Sequence, residues 1–275
     1  MTAVRRAAGA RAARSSALRI ASVFPELLGT YGDSGNATIL AARSSWRGQP
    51  AEVVTVPAGE PVPRHCDLYL LGGGEDEPQV LAAAGVGAGG SLAAAVGAGA
   101  VLFAVCAGLQ IVGTSFPGAD GNVHSGAGIV DLVTTPGATR AVGDLVVDPR
   151  PEVGLDVLYG YENHRGRTSL GAGLAPLGTV RRGIGNGAGQ RLAVGPRGLT
   201  GGDLEGVWAV CGDGLVVGTY LHGPVLAQNP QLADRLLDEA VGGLPPVSSD
   251  DPRAAAADRA ATALRAARAR QTSRG

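Results

Sequence analysis

The sequence predicts an α/β fold with a mostly parallel sheet and a β-rich second half. Three observations carry this reading. Short apolar runs alternate with helix-length segments through the first part of the chain. One run, Ala100–Val105, is apolar at almost every position, as a strand covered on both faces must be. After Gly113 the texture changes to short β-like stretches separated by turn residues.

Leu18–Phe24 reads as the first strand, and Asp33 or Ser34 can cap a helix running through Trp46. Glu52–Val56 is a second strand. Asp67–Leu71 is a third, ending in Gly72-Gly73-Gly74. An Ala-rich helix is expected over Glu77–Gly97, then the Ala100–Val105 strand and a short helix just past Cys106. Gly128–Val133, Arg140–Val147 and Val157–Tyr161 are β-like; Leu215–Tyr220 is a further strand and Gln231–Val241 a closing helix. With no internal repeat and no dividing linker, this is one domain over 18–246. It lies between an Arg-bearing tail, 1–17, expected to be disordered, and an Ala/Arg-rich tail, 247–275, able to form a helix but expected to be a solvated end.

The chain has 275 residues, a hydrophobic content of 45% and a formal net charge of −1. All 23 of its basic residues are Arg. Without Lys there is neither a P-loop nor a Schiff-base site for pyridoxal phosphate, so any ATP must be bound by another chain or an unusual site. The core, 18–249, carries 13 Arg against 21 acids. That acidic balance is a poor surface for nucleic acid. No apolar run reaches the ~18–20 residues of a membrane span. The three cysteines, Cys66, Cys106 and Cys211, are odd in number and lack both paired and zinc spacing. Their pattern suits a reducing, cytoplasmic compartment and no metal.

The segment Val101-Leu-Phe-Ala-Val-Cys106-Ala107-Gly108-Leu-Gln110 ends a buried strand on a cysteine and starts a helix on small residues. This is the thiol form of a nucleophile elbow, at the carboxyl edge of the sheet where open α/β folds place their sites. The Ala107 N–H is free there to hold an oxyanion, and the Gly72–Gly74 amides near the same edge can supply a second donor. A buried structural cysteine is the competing reading for Cys106, and a loop needing positive φ for the glycines. Of the four histidines, His222 ends the Leu215–Tyr220 strand, so two strands can bring it beside Cys106. His164 sits in the polar segment Gly160-Tyr-Glu-Asn-His-Arg-Gly166, expected to be an exposed loop.

Taken together, Cys106-x-Gly108-x-Gln110, Gly160-Tyr-Glu-Asn-His164 and Gly218-Thr-Tyr-Leu-His222-Gly resemble the class I glutamine amidotransferases of the cobyric-acid-synthase-like branch, on a flavodoxin-like fold. Further residues narrow the likeness to the glutaminase subunits of lipid II isoglutaminyl synthases. They are Pro25-Glu-Leu-Leu28, Tyr31-Gly-Asp33-Ser-Gly35-Asn36, Gly72-Gly-Gly-Glu-Asp76, Tyr161–Thr168 and His222-Gly-Pro224. The resemblance implies that Cys106 attacks L-glutamine with His222 as base, that Ala107 and Gly73 hold the oxyanion, and that Arg140 binds substrate. It also implies a heterodimer with a MurT-like ligase that carries ATP and Mg and holds lipid II, with no cofactor on this chain. One departure stands out. Many class I members have Glu two residues after the catalytic His, where this chain has Pro224. Asp33, Glu162, a partner residue or nothing then orients His222. Two other functions fit less of the pattern: service to another ligase, as in cobyrinate-type amidation, or a non-catalytic redox sensor built on Cys106.

Overall fold

The structure, a computed structural model, describes residues 16–187, 189, 203–248 and 251–272. The expected tail 1–17 therefore lies outside the described residues apart from Ser16 and Ala17. The chain first lays down β1 (Leu18–Val23), α1 (Gly35–Trp46), β2 (Ala51–Val56) and β3 (Leu68–Leu71). Next come α2 (Asp76–Gly87), α3 (Ser91–Gly97), β4 (Val101–Val105) and α4 (Ala107–Val112). The β-rich half follows: β5 (Ser115–Pro117), β6 (Val123–Ser125), β7 (Leu132–Pro149), β8 (Leu158–Leu170), β9 (Gly178–Arg182) and β10 (Leu204–Glu205). The chain then returns to the first sheet with β11 (Val207–Cys211) and β12 (Gly214–Thr219) and closes with α5 (Val225–Gln228), α6 (Pro230–Val241) and α7 (Pro252–Thr272).

The main sheet has the order β11-β12-β4-β3-β1-β2, parallel throughout except for the edge strand β11. Helices α1 and α6 pack on one face and α2, α3 and α4 on the other. Both faces of the central strands are thus covered, and β3, β4 and β12 are buried at every position. The second sheet, β10-β9-β7-β5-β6 with β8 paired to β7, stands beside it. No single helix among the described residues is long and apolar enough to cross a membrane.

Three sequence expectations need correction. The single helix over Glu77–Gly97 is two helices, because Gly89 and Gly90 adopt φ of 70° and 59° between them. The polar segment around His164 is not a loop. It belongs to β8, where Glu162, His164, Gly166 and Thr168 point inward while Tyr161, Asn163, Arg165 and Arg167 point outward. The C-terminal tail is not a solvated end. Within it α7 buries Ala254 and Ala261 against the domain. Asp258 of α7 takes a 2.6 Å hydrogen bond from the buried Arg43 of α1, and Arg268 donates to Asp144 at 2.9 Å and to the Gly160 carbonyl at 2.8 Å.

Candidate active site

Cys106 follows β4 with φ 50° and ψ −102°, a strained conformation for a residue with a side chain. Its N–H is anchored to the Thr219 carbonyl at the end of the neighbouring β12, at 2.8 Å. The next small residues let the turn close: Gly108 donates to the Gly72 carbonyl at 3.1 Å, and a methyl group on it would lie 2.5 Å from the Leu71 oxygen. No hydrogen bond occupies the Ala107 N–H among the described residues.

The parallel register that pairs Thr219 with Val105 brings the ends of β12 and β4 level. Three residues on, His222 forms an isolated bridge with Tyr161 of β8, its N–H donating to the Tyr161 carbonyl at 2.7 Å. Its ring is wholly buried, with Nδ1 2.9 Å from Oδ2 of Asp33. The other ring nitrogen, Nε2, is buried with no conventional partner. Burial alone would favour neutral imidazole. The charge on Cys106, the hydrogen bonds to Asp33 and Cys106 and the charge on Asp33 outweigh it, raising His222 to about 10. A thiol, an imidazole and a carboxylate therefore act on one another in that order.

Asp33 stands where a helix cap was expected, yet its carboxylate turns to His222, and Ser34 at the N-cap of α1 makes no side-chain cap bond. This supplies an orienting carboxylate from the loop after β1. Pro224, in the place of the missing Glu, packs instead against Gly32 of that same loop and Gly35 at the start of α1.

Gly73 does not present a free amide. Its N–H donates to Asp33 Oδ2 at 2.9 Å, so in this structure it holds the carboxylate rather than an oxyanion. Arg140 is exposed on the rim, in a bulge of β7 between Pro136 and Ala141. Arg165 and Arg167 pin that bulge by donating to the carbonyls of Gly137 and Thr139. Arg140 Nε donates to Asn163 Oδ1 and Asn163 Nδ2 to the Tyr31 hydroxyl, both at 2.5 Å; the Tyr31 ring meets His222 edge-on at 5.0 Å. Arg140 is thus joined to the His222 side of the site, with both terminal guanidinium nitrogens unengaged among the described residues.

The remaining candidates fall elsewhere. His164 is buried, stacked on Tyr220 at 3.7 Å and bonded to Glu162 and the Gly166 carbonyl. Gln110 links Gln79 to Tyr220 behind the elbow. His124 pairs with Asp120. Burial pushes the Cys66 and Cys211 thiols up, away from the reactive thiolate. Among the described residues no group of three His, Cys, Asp or Glu side chains is placed to hold a metal ion. Sequence reasoning left Asp33 unassigned and missed Tyr31. The motif Tyr31-Gly-Asp33 was visible, but no local spacing points either residue at a histidine so far along the chain.

Comparison with known proteins places the chain in a family. The CobB/CobQ-like glutamine amidotransferase domain matches residues 19–230. The chain is 31% identical over 225 residues to the GatD subunit of lipid II isoglutaminyl synthase (glutamine-hydrolyzing) from Staphylococcus aureus (strain N315), covering 81% of this chain and 84% of that one. It is 32% identical over 227 residues to the same subunit of Streptococcus pneumoniae (strain ATCC BAA-255 / R6), covering 82% and 80%. Cobyric acid synthase of Brucella abortus (strain S19) is 31% identical over 184 residues, 64% of this chain but 33% of that enzyme. The chain belongs to the CobB/CobQ-like glutamine amidotransferase family and, within it, to the GatD glutamine-hydrolysing subunits.

Proposed function

We propose that this chain hydrolyses L-glutamine through a Cys106 thioester and passes the ammonia to a MurT-like ligase, which amidates the D-glutamate α-carboxyl of the lipid II stem peptide. The observation that carries the reading is the alignment of Asp33, His222 and Cys106 at the carboxyl edge of the sheet. His222 takes the thiol proton and the sulfur attacks the side-chain carbonyl of glutamine. The tetrahedral oxyanion meets the Ala107 N–H. As the C–N bond breaks, His222 returns the proton to the leaving ammonia. Water then adds to the thioester, releasing glutamate and restoring the thiol. Asp33 holds the imidazole in one tautomer and supports its charge, as orienting carboxylates do. The forked guanidinium of Arg140 takes the glutamine α-carboxylate.

The two GatD relatives match over most of their own length, whereas the cobyric acid synthase match is confined to a third of that enzyme. This favours the GatD-type role over the cobyrinate-type one. ATP and Mg belong to the ligase, in keeping with a chain that has no Lys for a P-loop. The pair works in the cytoplasm, at the membrane face where the lipid-linked acceptor is held. The test is co-expression with a MurT-like ligase and an amidation assay with glutamine, ATP and lipid II. Cys106→Ala should lose glutamine-driven amidation and keep amidation driven by ammonium salts. Loss of both in an assembled complex would show that this chain does more than supply ammonia.

A further inference from the structure

Behind the site lies a carboxyl group that the chemistry above does not use. Glu205, in the two-residue strand β10, is wholly buried. Its Oε2 has no hydrogen-bond partner, and no cation pairs with it among the described residues. A buried carboxyl without a counter-charge is costly. Burial, with the nearby Glu162 adding to it, raises Glu205 to about 7. Its surroundings indicate what it does.

Glu205 Oε1 accepts two hydrogen bonds from the end of β12, one from the Thr219 hydroxyl at 2.6 Å and one from the Tyr220 N–H at 2.8 Å. The Thr219 hydroxyl in turn accepts from the Leu221 N–H at 3.0 Å. A single oxygen therefore fixes the three residues that lead into His222. The Thr219 carbonyl meanwhile holds the Cys106 N–H at 2.8 Å. Both arms of the thiol–imidazole pair hang from Thr219, and Glu205 holds Thr219. The close approach is built in: Gly206 has φ 60°, and a methyl group there would lie 2.2 Å from the Gly218 oxygen.

We infer that Glu205 is a positioning residue that sets the spacing between Cys106 and His222 by pinning Thr219–Leu221 from the second sheet. It touches neither substrate nor sulfur. The inference rests on Cys106 and His222 acting as a pair, and the experiment separates the two claims. The pH dependence of iodoacetamide labelling at the Cys106 peptide, read by mass spectrometry, reports the pair without glutamine. Steady-state glutamine hydrolysis, by the protein alone or with its co-purified ligase, reports turnover.

Glu205→Ala should lower kcat about 10- to 100-fold with KM within about twofold, the scale on which small misplacements of reacting groups act. It should also move the labelling profile to higher pH by about one unit. Glu205→Gln keeps an acceptor oxygen for Thr219 and Tyr220 and should retain kcat within about threefold. Thr219→Val should match Glu205→Ala, and the double variant should be no worse than either single one, because both break the same link. If Glu205→Ala fails to fold, Thr219→Val with Glu205→Gln carries the test. A folded Glu205→Ala or Thr219→Val with unchanged kcat and labelling overturns the inference, as does a Glu205→Gln loss equal to that of Glu205→Ala. A labelling profile that His222→Gln leaves unmoved overturns the pairing itself, and the inference with it.

Discussion

Gly73 lies so close against His222 that a methyl group on the glycine would stand 2.4 Å from Cε1 of the imidazole and 2.9 Å from Asp33 Oδ2. The glycine is there for room as much as for its amide. Gly73→Ala should displace the imidazole from its carboxylate and lower glutamine turnover about 100-fold. The fold should survive, since β3 has already ended at Leu71. Unfolding curves together with kcat check this; wild-type turnover in Gly73→Ala would mean that the imidazole has a second working position.

Cys106→Ala and Cys106→Ser should abolish glutamine hydrolysis, and Cys66→Ser and Cys211→Ser should keep most of it. Burial raises the last two thiols, and no histidine lowers either one. Asp33→Asn removes one of the charges that raise His222 to about 10 against desolvation, so the imidazole should titrate lower and kcat fall about 10- to 1,000-fold. The pH–rate profile measures both effects. A profile identical to wild type would leave Asp33 as a purely structural partner of Gly73.

Arg140 reaches the site through Asn163 and Tyr31, so its loss should act on substrate rather than on the thiol. Arg140→Ala should raise KM for glutamine about 10-fold or more while iodoacetamide still labels Cys106 at the wild-type rate. Arg140→Lys should rescue poorly, because an ammonium group lacks the planar fork. Unchanged kcat/KM in Arg140→Ala would reduce the residue to a surface arginine.

Glu205 predicts a stability effect with a definite sign. Its folded pKa, about 7, is raised above the ordinary 4.5, so the native state holds its proton more tightly than the unfolded chain. That contribution is complete below pH 4.5 and is lost as pH rises through 7. Glu205→Gln carries no such dependence. Its Tm should therefore gain on wild type as pH rises from 4.5 to 8, by at most about 3 kcal/mol in stability. A constant Tm difference across that range would show that the carboxyl titrates normally.

Removing α7 takes Asp258 from Arg43, leaving the buried guanidinium with Asp234. A chain ending before Asp251 should melt several degrees lower, a shift on the order of 1–3 kcal/mol. Cys106 labelling should be nearly unchanged at low temperature, because Asp258 and Arg268 of α7 bond to Arg43, Asp144 and Gly160 and not to Cys106 or His222. Thermal melts of the full and shortened chains decide this; equal Tm values would show that α7 adds nothing to the fold.

What could be read from the sequence was whatever has a short-range signal. β4 and its elbow were legible because a run of apolar residues stopping at Cys106 leaves few alternatives. β8 was legible only at its start, Val157–Tyr161, because beyond it the inward face carries Glu162, His164, Gly166 and Thr168 instead of aliphatic residues. A strand whose buried side is polar shows no hydrophobic alternation. Asp33 looked like a cap because caps are local, whereas its partner lies 189 residues on. The break between α2 and α3 was hidden by a background rich in Gly and Ala. The docking of α7 was hidden because it uses Ala faces and ion pairs, which also describe a solvated helix.

The place of β12 has a consequence for synthesis. It is the last strand made among the described residues, yet it lies between β4 and β11, inside the main sheet rather than at its edge. Until the ribosome has delivered residues 214–222, one edge of the apolar β4 has no partner, and the thiol beside it has no base. A nascent chain is therefore chemically harmless but sticky, with an open edge of the kind that recruits other strands. Translation that stops short of Gly214 yields material suited to aggregation and unable to hydrolyse glutamine. The enzyme is armed and its sheet is closed by the same few residues, at nearly the same moment.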